Sequence, residues 1–413
     1  MYLSPCKVAG IYSKVELRMS DLIREILQTT TYRRLDVEAV LDPNKHSWCS
    51  FDPEIGYLPR NIVLQDGMDF CRTTYTYELA GQRKMVNYAG QPCRINTYGD
   101  SFTQSQQVSD DESWQERLAA HIGEPIRNFG IGGHSVYTAY KRLLRMEAGE
   151  CSAEYLLLTI YDEDHVRNLD ASRWIRTQWN DRDRPRELAW PLHGLPWVHL
   201  RFDLSKGNFV EVPGFCQNAD DLRSLCDPDH FYQTFHDDQI VRLFALENGG
   251  EARFDDLEAV AEALSIKVNL RDTDQRMAEA AKLRRMYGFK SSEYVLDSLA
   301  VWAEKNHKKL IIPLVYSEPQ VINYLKGGER FDAVFVDYLE RKKITWFDSL
   351  QKHKEDFADF AITPEKYIDR LYIKPAAAAV FGHYNPLGNA FFAFSMKDDL
   401  VGWLNPKPPA YHT

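Results

Sequence analysis

The sequence predicts a three-layer α/β/α fold around a central, mainly parallel sheet. Three observations carry that reading. From Arg94 onward, short strand-like and helix-like segments alternate, as parallel strands joined by helical crossovers do. Tyr155-Leu156-Leu157-Leu158-Thr159-Ile160-Tyr161 is a near-continuous apolar run, which a strand covered on both faces requires. After a long interruption the alternation returns and closes in a helix over 390–403.

Taken in order, residues 1–90 read as a small β-rich appendage. Leu17, Met19, Leu22, Ile23, Ile26 and Leu27 have helical spacing, with Ser20 and Asp21 as cap residues. Thr73-Thr74-Tyr75-Thr76-Tyr77 is rich in strand formers, and Gly81-Gln82 reads as a turn. The core then occupies 91–170 and 285–413. Its first half carries strands over 94–97, 125–129 and 155–161 and helices over 114–122 and 137–146. Its second half carries helices over 294–304 and 319–325, a strand over 309–315, and strand-like runs over 332–336 and 344–348. Between the halves, 171–284 is crowded with Trp, Pro, Asp and Arg and shows little period before a charged helix over 272–286. It reads as an insertion over the sheet's edge, either a lid or plain structure.

The 413 residues suffice for several domains, or for one large domain with insertions. A hydrophobic share of 44% and a charged share of 27% are those of a soluble globular protein. A net charge of −10 opposes nucleic acid as a partner, because phosphate binding needs a basic surface. No apolar run reaches the roughly 20 residues that span a bilayer, so no membrane partner is expected. The start shows no basic segment leading into an apolar one, and the seven cysteines show no CxxC spacing. A reduced, cytoplasmic protein without a zinc site is the expectation. Aromatic residues make up 13%, and Trp174, Trp179, Trp190 and Trp197 fit either a core or a sugar-stacking surface.

The chemistry centres on Tyr98-Gly99-Asp100-Ser101-Phe102-Thr103, where a strand runs into a turn and a helix-like segment. Backbone N–H groups exposed at such a turn favour an attacking hydroxyl and a developing oxyanion. Asn128-Phe129-Gly130-Ile131-Gly132-Gly133 follows as a glycine-rich turn at the next strand's end. Late in the chain, His383 opens His-Tyr-Asn-Pro-Leu-Gly at a helix start. Imidazole titrates near working pH and can take the proton that a serine hydroxyl must lose to attack.

These blocks, in this order, resemble the SGNH (GDSL-type) hydrolase superfamily, whose members have a flavodoxin-like α/β/α core and act as esterases and deacetylases. The resemblance implies Ser101 as nucleophile, His383 as base, and the N–H groups of Ser101 and Gly133 in an oxyanion hole. Two positions depart from the pattern. The family's third block supplies an Asn to the oxyanion hole, and aligning the strand over 156–161 with that block puts Glu163 there. A protonated Glu163, a shifted alignment and a different donor such as Asn168 all stay open. The family's acid usually stands three residues before the histidine, where this chain has Val380; a backbone carbonyl, Asp348 or Asp164 remain as orienting groups. Asp100, Asp164, His165 and Asn385 are the residues expected along the substrate, with His134 and His165 as structural or lining groups.

The expected activity is hydrolysis of a carboxylic ester, acetyl or another short acyl, on a small molecule or carbohydrate. No metal and no organic cofactor is implied. The alternatives are an O-acyltransferase on the same site and a non-catalytic carbohydrate-binding or scaffold protein with a degenerate site. The oligomeric state is not specified.

Overall fold

The computed structural model describes residues 22–183, 194–374 and 382–411. Its centre is a parallel sheet of β1 (Ile95–Tyr98), β2 (Arg127–Asn128), β3 (Tyr155–Leu158), β4 (Ile160–Tyr161), β5 (Lys309–Val315) and β6 (Trp346–Asp348). The order across the sheet is β6-β5-β3-β1-β2, with β4 pairing β5. Every pairing in it is parallel. β1 and β3 are buried at every position, as strands covered on both faces must be.

The covering layers are helical. On one side α2 (Trp114–Ile122) lies along the terminal α8 (Pro386–Trp403), which also meets α7 (Ser349–Phe357). On the other, the long α5 (Arg276–Lys305) packs against α3 (Val136–Glu147), α4 (Asp164–Arg167) and α6 (Ala333–Lys342). The chain runs from β1 out to β2 and returns across to β3. The crevice at the carboxyl ends of β1 and β3 is therefore the topological switch point, where open α/β sheets bind their ligands.

The apolar run over 155–161 is not one strand. β3 pairs both β1 and β5, and beyond Thr159 the segment stays with β5 alone. At that point the chain after β1 turns at Gly99, with φ of 148°. A Cβ there would stand 2.2 Å from Thr103 Oγ1 and 2.7 Å from the Thr159 carbonyl oxygen, so only glycine fits.

Two other expectations are corrected. The run over 332–336 is the start of helix α6, because Phe335, Tyr338 and Leu339 recur at helical spacing and are buried together. The separate helices over 272–286 and 294–304 are one element, α5, whose buried Ala280, Leu283, Tyr287, Ser291, Val295, Leu299 and Ala303 form one stripe. Gly288 lets it approach α4, since a Cβ there would lie 3.0 Å from the His165 carbonyl carbon.

Outside the sheet, the first part adds helices Leu22–Thr29 and Arg34–Leu41 and two hairpins, Cys49–Asp52 with Gly56–Pro59 and Ile62–Leu64 with Thr73–Tyr75. An antiparallel bridge from Arg83 to Asn128 covers the free edge at β2. Between α4 and α5, the described residues hold a hairpin, His199–Asp203 with Asn208–Val212, and several short helices. Ile26, Tyr32, Trp48 and Tyr57 share a second core with Trp174, Trp179, Trp197, Phe231 and Phe244. Trp174, Trp179 and Trp197 are thus packed inside. Trp190, Val380 and the helical positions Leu17 to Asp21 lie outside the described residues.

Candidate functional site

Ser101 follows β1 at the switch point, as the first residue of α1 (Ser101–Gln104). This helix is a single turn, so its macrodipole is slight and the local N–H groups matter more. Asp100 caps it, accepting from Phe102 N at 2.9 Å, and also accepts from the Ser101 hydroxyl at 3.2 Å. The glycine-rich turn is fixed against β1 by Ile131 N–H donating to the Gly99 carbonyl, and by Gly132 N–H donating to Gln104 Oε1. Gly133 sits at φ of 79°, conformationally a glycine position. The N–H groups of Ser101 and Gly133 take no part in these bonds.

The Asp100 side is ionic. Arg167 lies between two buried carboxylates, 2.6 Å from Asp164 Oδ1 and 3.5 Å from Asp100 Oδ2, and reaches Glu163 at 3.6 Å. It also donates to the His134 carbonyl at 3.3 Å, joining the glycine turn to the network. Asp164 Oδ2 accepts from Tyr161 N at 3.0 Å. Burial pushes the Asp100 and Asp164 carboxyls up, and the Arg167 guanidinium opposes that shift in both. Glu163 differs. Its side chain is 56% exposed, and although desolvation acts to raise its pKa, Arg167, Arg176, Arg173 and Arg284 together hold it below the usual range. An ionised carboxylate accepts but does not donate, so Glu163 as it stands is no stand-in for the family's oxyanion amide. Asn168 is committed elsewhere: Oδ1 accepts from Tyr137 N and Nδ2 donates to Ser291 and Ser292.

The other side is neutral. The His383 ring lies 5.1 Å from the ring of Phe102, which in turn stacks on Tyr161 at 4.9 Å. Gln107 Oε1 accepts from the His383 backbone N–H at 2.9 Å and sits 2.8 Å from His383 Nδ1. Burial first, then Arg167 and Arg173, push the imidazole down to about 3, so it is neutral at physiological pH. Among the described residues no hydrogen bond joins Ser101 Oγ to His383; the hydroxyl is turned toward Asp100.

The remaining expected site residues take structural posts. Asp348 caps α7 through Leu350 N at 3.1 Å and pairs with Arg330 at 2.7 Å. Asn385 caps α8 through Gly388 N at 2.9 Å and donates to the Arg370 carbonyl. His165 is wedged between Phe289 and Phe335, with Nδ1 2.8 Å from Ser292 Oγ. His134 is fully buried against Tyr57 and Trp197. Sequence reasoning missed Gln107 and Arg167. Arg167 follows Asp164 by one helical turn, a spacing that pairs opposite charges; Gln107, in a polar Gln-Ser-Gln-Gln run, carried no signal of its own.

No protein-family model matches the chain, and no curated protein matches it. A solved structure of a protein assigned by name to the lipolytic G-D-S-L family, from Desulfitobacterium hafniense DCB-2, aligns with a TM-score of 0.34 and 10% identity, covering 74% of this chain and 97% of that one. A likeness at this level says nothing of the chemistry of this chain.

Proposed function

We propose that this protein is a serine hydrolase that cleaves a carboxylic ester by acyl transfer through Ser101, with His383 as base. The observation that supports it most is the placement of a neutral imidazole from the far end of the chain against the Gly-Asp-Ser turn, at the switch point of a parallel sheet. In the reaction, Ser101 Oγ leaves Asp100 and turns to His383 Nε2. It then attacks the ester carbonyl while its proton passes to Nε2. The N–H groups of Ser101 and Gly133 receive the oxyanion, each such donor being worth roughly 3–4 kcal/mol of barrier. The proton goes on to the departing alkoxide, and water repeats the sequence on the acyl-serine. A short acyl group suits a serine that is 6% exposed and flanked by Phe102. With Trp174, Trp179 and Trp197 inside the second core, composition gives no further reason to expect a sugar.

The test is turnover of p-nitrophenyl acetate and labelling by a fluorophosphonate, in the parent and in Ser101→Ala and His383→Ala. The expected result is a label mapped to Ser101, abolished in the first variant and slowed at least about a hundredfold in the second. A parent that neither labels nor turns over would sink the reading and leave a non-catalytic protein.

A further inference from the structure

Resting on that reading, we propose that Gln107 is the positioning residue for His383, a neutral amide that fills the place of the acid in a serine–histidine–acid set. The geometry fixes which end of the amide faces the histidine. A backbone N–H can only donate, so the atom 2.9 Å from His383 N is the amide oxygen. The same oxygen lies 2.8 Å from Nδ1, so Nδ1 carries the ring proton and donates it. The lone pair is thereby left on Nε2, the nitrogen that must accept the Ser101 proton.

The amide itself is held. Gln107 sits at φ of 71°, a left-handed conformation uncommon for residues other than glycine, after Ser105 at 58°. Its own N–H donates to the Tyr75 hydroxyl at 2.6 Å. Arg83 clamps the loop on both flanks, donating to the carbonyls of Gln104, Ser105 and Val108. Among the described residues Gln107 Nε2 is buried without a hydrogen-bond partner, a cost accepted with the oxygen aimed at His383. The acids that could have taken the post are engaged: Asp348 by Arg330, and Asp164 by Arg167 and Tyr161 N.

A neutral acceptor has a consequence that a carboxylate would not. Among the described residues the charges bearing on the ring include Arg167 and Arg173, both cations, while Asp100, Asp164 and Glu163 are each drawn to Arg167. With an amide rather than an anion on Nδ1, the imidazole resists protonation and stays a base well into the acid range. The imidazolium formed during transfer is stabilised less than in an acid-backed set. Ser101 Oγ gives its proton to Nε2, Nδ1 keeps its own in the bond to Oε1, and the leaving alkoxide takes the transferred one.

The test pairs fluorophosphonate labelling of Ser101 across pH with the ¹⁵N-coupled imidazole spectrum of His383, in the parent, Gln107→Leu and Gln107→Glu. We expect the Nδ1–H tautomer in the parent and labelling that persists to about pH 5. Gln107→Leu is expected to label about tenfold or more slowly at neutral pH and to lose the single tautomer. Gln107→Glu keeps the acceptor, so it is expected to label within about threefold of the parent near pH 8, with its acid limb moved up by about one pH unit or more. Should Gln107→Leu fail a thermal-melt check of folding, Gln107→Glu decides alone. An Nε2–H tautomer in the parent, unchanged labelling in folded Gln107→Leu, or an unmoved acid limb in Gln107→Glu overturns this role and leaves the acyl-transfer reading standing. A parent that does not label at Ser101 overturns that reading and this role together.

Discussion

On the Asp100 side of Ser101 the neighbours are carboxyl groups and a guanidinium; on the Phe102 side they are rings and an amide. Arg167 binds Asp100, Asp164 and Glu163 into one network, most of it buried. Across the serine, His383 rests on Phe102 and Gln107, and His353 continues this side through a 2.9 Å bond between its Nε2 and the Tyr384 hydroxyl. The difference teaches how one small crevice holds charge without protonating its imidazole. Asp100, Asp164 and Glu163 lie on the side where the Arg167 guanidinium answers them. The imidazoles lie among rings, hydroxyls and an amide, where burial keeps them neutral.

The comparison breaks most severely at Arg167. Arg167→Leu would leave Asp100 and Asp164 buried without their cation, and the expected loss is about 3–5 kcal/mol of stability, read from urea unfolding. A loss below about 1 kcal/mol would mean that the network is not what holds the ionic side.

Acid sharpens the neutral side. Burial pushes His353 down to about 3, against an ordinary value near 6.5 in the unfolded chain. Its folded value is depressed, so its contribution is fully present above about pH 6.5 and is lost as pH falls toward 3. The rate of that loss is at most about 1.4 kcal/mol per pH unit. Between about pH 6 and 4 the parent should therefore lose stability more steeply than His353→Gln by about that slope. Parallel pH curves for the two proteins would refute the assignment.

The smallest effect belongs to Asn385, whose side chain caps α8 two residues after His383. Asn385→Ala should cost about 1 kcal/mol, a cap's usual worth, measured as a shift of the unfolding midpoint. A cost of several kcal/mol would show that this residue anchors the neutral side rather than merely starting a helix.

Much of the scaffold could be read from the chain. The helix over 114–122 matches α2 residue for residue, because Trp114, Leu118, Ala119 and Ile122 mark one buried face and Ser113 caps it. The strand pattern that makes the sheet parallel follows from fully apolar runs. The run over 332–336 misled because five residues of mixed polarity fit either period until Tyr338 and Leu339 are counted. At the site, Gly99-Asp100-Ser101 was legible as a strand-to-helix turn because its local chemistry permits little else. Asp348 stands at a strand's end, as a site residue would, yet a cap and an arginine claim it.

The sequence by itself determined the alternation that builds a parallel sheet, the glycine that the Gly99 turn demands, and the order of serine, glycine turn and histidine. These are local properties: side-chain period, backbone freedom and residue type. Only the tertiary structure decided what each polar group faces. Gln107 meets His383 across 276 positions of chain, and Arg167 meets Asp100 across 67. Such pairings depend on packing that brings remote segments within hydrogen-bond reach, and burial then converts an ordinary amide or guanidinium into the group that sets its neighbour's protonation.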